Sequence, residues 1–174
     1  STALYNTAVG FNAMADVSAA EAIDGAVAIG YEAFKGSSST TTGAHYTIAI
    51  GRQALKALTT GAENVGVGKN ALNILTTGGQ NTVVGNDSGK ALTTGGHNAI
   101  LGYISGDTLT TASGSVFVGS NAGGTVTTGN QNIGIGFATM NGGVTTGDNN
   151  IAIGVSAGDA LTAGYDHICI GRSA

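Results

Sequence analysis

The chain has no Pro and no Trp, a single Cys, 5% aromatic residues and only 9% charged residues in 174 positions. Ordinary soluble domains carry about 5% Pro and about 25% charged residues, so each deficit excludes something. Without Pro the chain is neither a collagen strand nor a polyproline spacer, and at 41% apolar residues it is not a disordered tail. One Cys rules out an internal disulfide framework. Six basic residues (Lys35, Arg52, Lys56, Lys69, Lys90 and Arg172) lie scattered against ten acidic ones, so there is no basic patch and no nucleic-acid partner is expected. No apolar run approaches the ~18 residues of a membrane span, and no signal peptide is read, so membrane insertion is not expected. The opening Ser1-Thr2-Ala3 lacks an initiator Met, as expected of a processed form or a fragment.

What the chain does have is Gly, at 31 positions. Gly costs ~1 kcal/mol relative to Ala at each helix-interior position, which excludes a helical bundle and leaves a repetitive β protein with Gly at its corners. The repeat is explicit. An aliphatic residue followed by Gly recurs at Gly10, Gly30, Gly51, Gly68, Gly85, Gly102, Gly119, Gly136, Gly154 and Gly171, with a dominant spacing of 17. A pair of Thr residues keeps the same beat from Thr59-Thr60 to Thr145-Thr146, with Thr162-Ala163 as its last copy. Repeats of this kind specify stacked supersecondary units.

Aligning the copies turns the sequence into columns. Val9, Ile29, Ile50, Val67 and their equivalents precede the corner Gly, and Thr7, Val27, Ile48, Val65 and theirs stand two residues earlier. Alternation with period two places these columns on one face of a strand, and β-branched residues favour that conformation. A second strand is expected at Leu-Thr-Thr, marked by Leu58, Leu75, Leu92, Leu109, Val126, Val144 and Leu161. The expected fold is all-β, a β-solenoid (β-roll or β-helix) of ten coils with a 17-residue repeat. Such a rod would be about 45–50 Å long at the strand spacing.

The column between the two apolar ones (Ala8, Ala28, Ala49, Gly66, Val83, Ile100, Phe117, Gly134, Ala152 and Cys169) holds no charged residue. A sheet with one wet face would carry polar residues there. Both faces of the strand are therefore expected to be buried, one inside the coil and one against another chain, with the small residues allowing close approach at a shared axis. The alternative is a monomer with an apolar outer wall. The chain is expected to be one repeat domain, 1–174, with irregular coils in 1–43 and regular ones in 44–174. An insertion near 13–24 (a helical turn or enlarged loop) and a surface loop near 35–43 interrupt the early coils.

Catalytic, cofactor and metal chemistry finds no footing in these residues. His45, His97 and His167 fall at different phases, and His97 and His167 are four coils apart, about 19 Å, too far to share a metal. Cys169 reads as an inert thiol in a core column. Asp148 and Asp166, one coil apart, are the nearest approach to a carboxylate pair and lack basic or aromatic company. The Asn at Asn6, Asn64, Asn81, Asn98, Asn132 and Asn150 reads as a corner ladder of stacked amides rather than a ligand site. The column after the corner is outward and variable, and its Tyr31, Tyr103 and Phe137 are the candidates for stacking on sugar rings, with packing against a partner chain as the plainer use.

The repeat text also resembles a known group. Leu4-Tyr5-Asn6-Thr7-Ala8-Val9-Gly10-Phe11-Asn12-Ala13 and Leu92-Thr93-Thr94-Gly95-Gly96-His97-Asn98-Ala99-Ile100-Leu101-Gly102-Tyr103 resemble the N-T-A-x-G-x-x-A and L-T-T-G-x-x-N-x-x-x-G repeats of phage tail-fibre and related trimeric surface proteins. Ala26-Val27-Ala28-Ile29-Gly30 resembles the S-V-A-I-G head motif of trimeric autotransporter adhesins, whose heads are trimeric left-handed β-rolls with a shorter repeat. The resemblance implies a left-handed, intertwined homotrimer on the outside of a cell or virion. Its role would be that of a structural and adhesive fibre or head segment, not an enzyme, and its partners would be its own copies and a cell-surface glycan or receptor. The alternative is an ice-binding solenoid using the Thr ladder of Thr59, Thr76, Thr93, Thr110, Thr127, Thr145 and Thr162.

Overall fold

The structure is a computed structural model that describes residues 5–17, 23–37 and 41–174. Parts of the expected insertion near 13–24 and of the loop near 35–43 lie outside those residues. Ten three-residue strands follow one another: β1 (Thr7–Val9), β2 (Val27–Ile29), β3 (Ile48–Ile50), β4 (Val65–Val67), β5 (Thr82–Val84), β6 (Ala99–Leu101), β7 (Val116–Val118), β8 (Ile133–Ile135), β9 (Ile151–Ile153) and β10 (Ile168–Ile170). They form one parallel sheet in strict sequence order. Register is exact by repeat position, Ala28 against Ala49 and Ile29 against Ile50, for instance. The chain is an all-β parallel β-solenoid with a repeat of about 17 residues, and no described residue is helical.

The expected second strand at Leu-Thr-Thr does not form. Among the described residues that side of the coil carries one isolated bridge, Val126 to Thr145. That segment bends instead, and elsewhere in the coil the non-Gly residues of positive φ fall on three columns, exemplified by Glu63 (60°), Asn70 (56°) and Leu72 (51°). A left-handed residue costs roughly 1–2 kcal/mol, so a repeated use needs repeated compensation. Each of these amides reaches a neighbouring coil. Glu63 N–H donates to His45 O at 2.9 Å and Asn70 N–H to Arg52 O at 2.9 Å, both in the preceding coil, while Leu72 N–H donates to Ser88 O at 3.2 Å in the following one. The bends stack as well as strands do, because every coil repeats the same dihedral choices.

The corner Gly is a tight point. Gly136 has φ 135°, and a Cβ on it would stand 2.6 Å from the carbonyl oxygen of Gly154 in the next coil. Backbone lies on backbone here, which is why the sequence keeps Gly at this phase in all ten coils.

The side chains point the opposite way from the expectation. From β2 to β9 the middle column, Ala28, Ala49, Val83, Ile100, Phe117 and Ala152 among it, lies inside its own coil and is fully buried or nearly so, while Ala8 and Cys169 in the end coils are less covered. It packs there with Leu55, Leu58, Leu72, Leu75, Leu92 and Leu109. The flanking β-branched columns face outward: Ile29, Leu101, Ile135 and Ile153 are all exposed. A 17-residue coil has a narrow interior, so the single inward residue of a three-residue strand must often be small. Small residues at that position report the coil's own bore, not a neighbouring chain.

In most coils the bore is filled by a trade. Where the middle residue is small, a large residue sits six positions later: Ala28 with Phe34, Ala49 with Leu55, Gly66 with Leu72, Gly134 with Met140. Ala152 with Gly158 departs from this and has Leu161 and Met140 beside the Gly. Where it is large, that position is Gly: Val83 with Gly89, Ile100 with Gly106, Phe117 with Gly123. A Cβ on Gly123 would stand 2.5 Å from the Phe117 ring, and one on Gly106 would meet Ile100 at 3.1 Å and Leu109 at 2.8 Å. Interiors held at crystal-like density feel such changes in volume directly.

This trade makes a double-mutant prediction. Ile100→Ala should cost about 2–4 kcal/mol by leaving a void, and Gly106→Leu about 1–3 kcal/mol by overfilling the bore. The double variant reproduces the Ala49–Leu55 arrangement found three coils away and should lose less than the sum, with a coupling of about 1 kcal/mol or more by urea denaturation. Additive losses would contradict the shared bore.

Candidate functional site

Two side-chain ladders flank the sheet, and neither offers a reactive group. In the Asn ladder, Asn81 donates from both its amide N–H and Nδ2 to Asn64 Oδ1 at 3.0 Å. Asn98 repeats both bonds to Asn81 at 3.0 Å. Each Nδ2 also donates to a carbonyl of the next coil's Gly column, as from Asn81 to Gly95 O at 3.0 Å and from Asn98 to Ala112 O at 2.9 Å. Ser115 stands in for Asn in its coil, receiving Asn132 N–H at 3.2 Å. These side chains are buried with donors and acceptor engaged, the arrangement a buried amide needs to be stabilising.

The Thr ladder is spent in the same way. Thr59 Oγ1 donates to Thr76 O at 2.8 Å, Thr76 to Thr93 O at 3.0 Å, Thr93 to Thr110 O at 2.9 Å and Thr110 to Thr127 O at 3.1 Å. Thr145 is buried and donates to Leu161 O at 2.8 Å, whereas Thr127 is half-buried and Thr162 exposed. The hydroxyl protons of the ladder thus point at neighbouring coils, and the exposed Thr of each pair (Thr60, Thr77, Thr94, Thr111, Thr128) forms a single file.

Tyr31, Tyr103 and Phe137 all lie in the exposed column after the corner. Tyr31 is engaged on its ring, stacked with Phe11 at 5.7 Å between centroids and approached by the Arg52 guanidinium at 5.9 Å. Tyr103 and Phe137 are each 56% exposed and sit two coils apart, about 10 Å, across Ser120. They are the two rings of the trio with open faces.

Titratable groups are paired as spacers between coils. Lys90 and Asp107 meet at 3.2 Å, and Lys56 reaches Glu32 at 2.8 Å. The hydrogen bond from Lys56, then one from Gln53, hold the Glu32 carboxyl below its usual range, with burial acting in the opposite sense. Asp148 accepts Asn130 N–H at 2.6 Å and its backbone carbonyl accepts Asp166 N–H at 3.3 Å, so that pair serves coil stacking. Cys169 is half-buried against the core. Among the described residues no group of three or more His, Cys, Asp or Glu could hold a metal ion.

Two surfaces remain that a partner could use. One is the outward sheet face, two files of mostly β-branched residues from β1 to β10. The other is a pair of adjoining open clefts of about 400 and 510 Å³ beside the Asn corner, which share His97 and Ser113. The column reading found the first face but assigned it to the interior. The second is lined by Gly and by polar side chains such as Glu63, Gln80, His97 and Gln131, and leaves no motif in the sequence.

The Asn ladder predicts a local cost. Asn98→Ala strips partners from Asn81 Oδ1, Ala112 O and Ser115 N–H in a buried setting, and should lower stability by about 3 kcal/mol in urea unfolding. A loss under about 0.5 kcal/mol would mean that the ladder contributes little. No family model, no curated protein and no solved structure matches this chain.

Proposed function

We propose that this chain is a structural and adhesive segment: a left-handed β-solenoid that joins two further copies through its outward sheet face. The homotrimer would form a rigid shaft or head on the outside of a cell or virion. The observation that carries this reading is the composition of the outward face. Apart from Thr7 and Thr82 its two files are apolar, running from Val9, Val27 and Ile29 to Ile151, Ile153, Ile168 and Ile170. Soluble monomers rarely expose a contiguous apolar strip running the length of the molecule, and a rim of polar residues beside it marks an interaction surface. Self-association suits this strip because each copy brings an identical flat file at an identical spacing, so methyl rows can interdigitate along the whole rod. The resemblance to trimeric surface repeats supports three copies and the left hand.

Attachment follows from the geometry of such a shaft. Three copies of a weak contact, around Tyr103 and Phe137 against a cell-surface glycan or receptor, raise avidity without a deep pocket. No reacting group is needed for such a contact.

Sedimentation equilibrium should give three chain masses at micromolar concentration. Val116→Lys with Ile133→Lys, both on the outward face in adjacent coils, should shift the protein to one chain mass while its β-sheet circular dichroism persists. A wild-type monomer at the same concentration would contradict the reading.

A further inference from the structure

Along the column two residues before the Asn ladder, an N–H donates to the side chain of the following coil where that side chain can accept. Gly96 N–H donates to Ser113 Oγ at 3.1 Å, Ser113 N–H to Asn130 Oδ1 at 2.9 Å, and Asn130 N–H to Asp148 Oδ1 at 2.6 Å. Near the N-terminal end Asp24 N–H likewise donates to His45 Nδ1 at 3.1 Å. Between them the column reads Ala62, Gly79, Gly96, and the accepting side chain is missing. The N–H groups of Ala62 and Gly79 have no partner among the described residues. A Cβ on Gly79 would stand 3.5 Å from Ala62 N, and one on Gly96 the same distance from Gly79 N, so the absent side chains are those that would have covered these donors. The space they vacate is the cleft of about 400 Å³.

We infer that this cleft binds a linear, neutral, polyhydroxylated chain, a glycan laid along the solenoid axis. Three features of the cleft select that class. The two free donors sit one coil apart, about 4.8 Å, close to the advance per residue of an extended β-linked sugar chain. Acceptors stand beside them: Glu63 accepts Gln80 Nε2 through Oε2 at 3.0 Å, its Oε1 has no partner among the described residues, and the Thr77 and Thr94 hydroxyls line the same wall. A sugar hydroxyl, donor and acceptor at once, satisfies both sets. Charge selects against the competing polymers. Neither cleft is lined by Lys or Arg, while Glu63 and Asp148 would repel a polyanion. The second cleft of about 510 Å³ continues the path beyond His97, so a chain of several sugars, not a single ring, matches its length.

This site lies on the single chain and does not rest on trimer formation. A monomeric protein that binds would leave it standing, and a trimer that does not bind would remove it alone.

The test is a titration of the isotope-labelled protein with neutral β-linked hexasaccharides of glucose, N-acetylglucosamine and mannose, with hexagalacturonate as the acidic comparator. At least one neutral probe should move the amide resonances of Ala62 and Gly79. Glu63→Gln, at an exposed side chain, should weaken that probe about tenfold. Gly79→Ser places a hydroxyl where Ser113 has one, and should abolish the shift at Ala62 while leaving distant resonances in place. Should Gly79→Ser not fold, Glu63→Gln carries the test. The proposal is overturned if no neutral probe shifts these amides, if hexagalacturonate binds more tightly, or if Glu63→Gln binds as the wild type does.

Discussion

The structure depends on backbone stacking directly on backbone at one corner of every coil. At that corner the carbonyl of one Gly occupies the space a Cβ of the preceding coil's Gly would need, as between Gly136 and Gly154. A coil can repeat at strand spacing only if this close approach repeats too, so Gly is required at that phase and the remaining residues fall into register behind it. The parallel pairing, the Asn ladder and the Thr-to-carbonyl bonds are all consequences of that one spacing. Left-handed residues such as Leu55 and Leu72, unfavourable singly, become tolerable because each N–H finds a carbonyl in the adjacent coil.

Much of this was legible in the sequence, because periodic constraint writes itself as periodic text. The ten triplets from Thr7-Ala8-Val9 to Ile168-Cys169-Ile170 are the ten strands. Three residues after the corner the text keeps a small residue, Ala54, Ala71, Ser88 and Ser105 among them, and these are buried at a bend. Orientation was harder to read. Alternation says that Ile48 and Ile50 share a face and Ala49 has the other, but not which face is inside. Hydrophobicity favoured the Ile pair, whereas the narrow bore of a 17-residue coil admits Ala and rejects two Ile. The deciding signal, the volume trade between residues six apart such as Phe117 and Gly123, is present in the text and appears only once the bore is known.

The Leu-Thr-Thr segment failed as a strand for a related reason. Leu58, Leu75, Leu92 and Leu109 do point inward, but the chain bends on both sides of them. The clefts beside the Asn corner were illegible altogether. They are made by what Ala62, Gly79 and Gly96 lack, and by amides that every residue carries.

The inversion of the strand faces gives the proposed assembly its physical form. Small inward residues fill a private core, and the β-branched columns are left as the surface that needs covering. Isotope-filtered NOE spectroscopy on an assembly mixed from labelled and unlabelled chains tests this most directly. Transfer between chains is predicted at the methyls of outward Ile48, Ile133 and Ile151 and absent at the inward methyls of Val83 and Ile100. Transfer at Val83 and Ile100, or none at the outward methyls, would contradict the account.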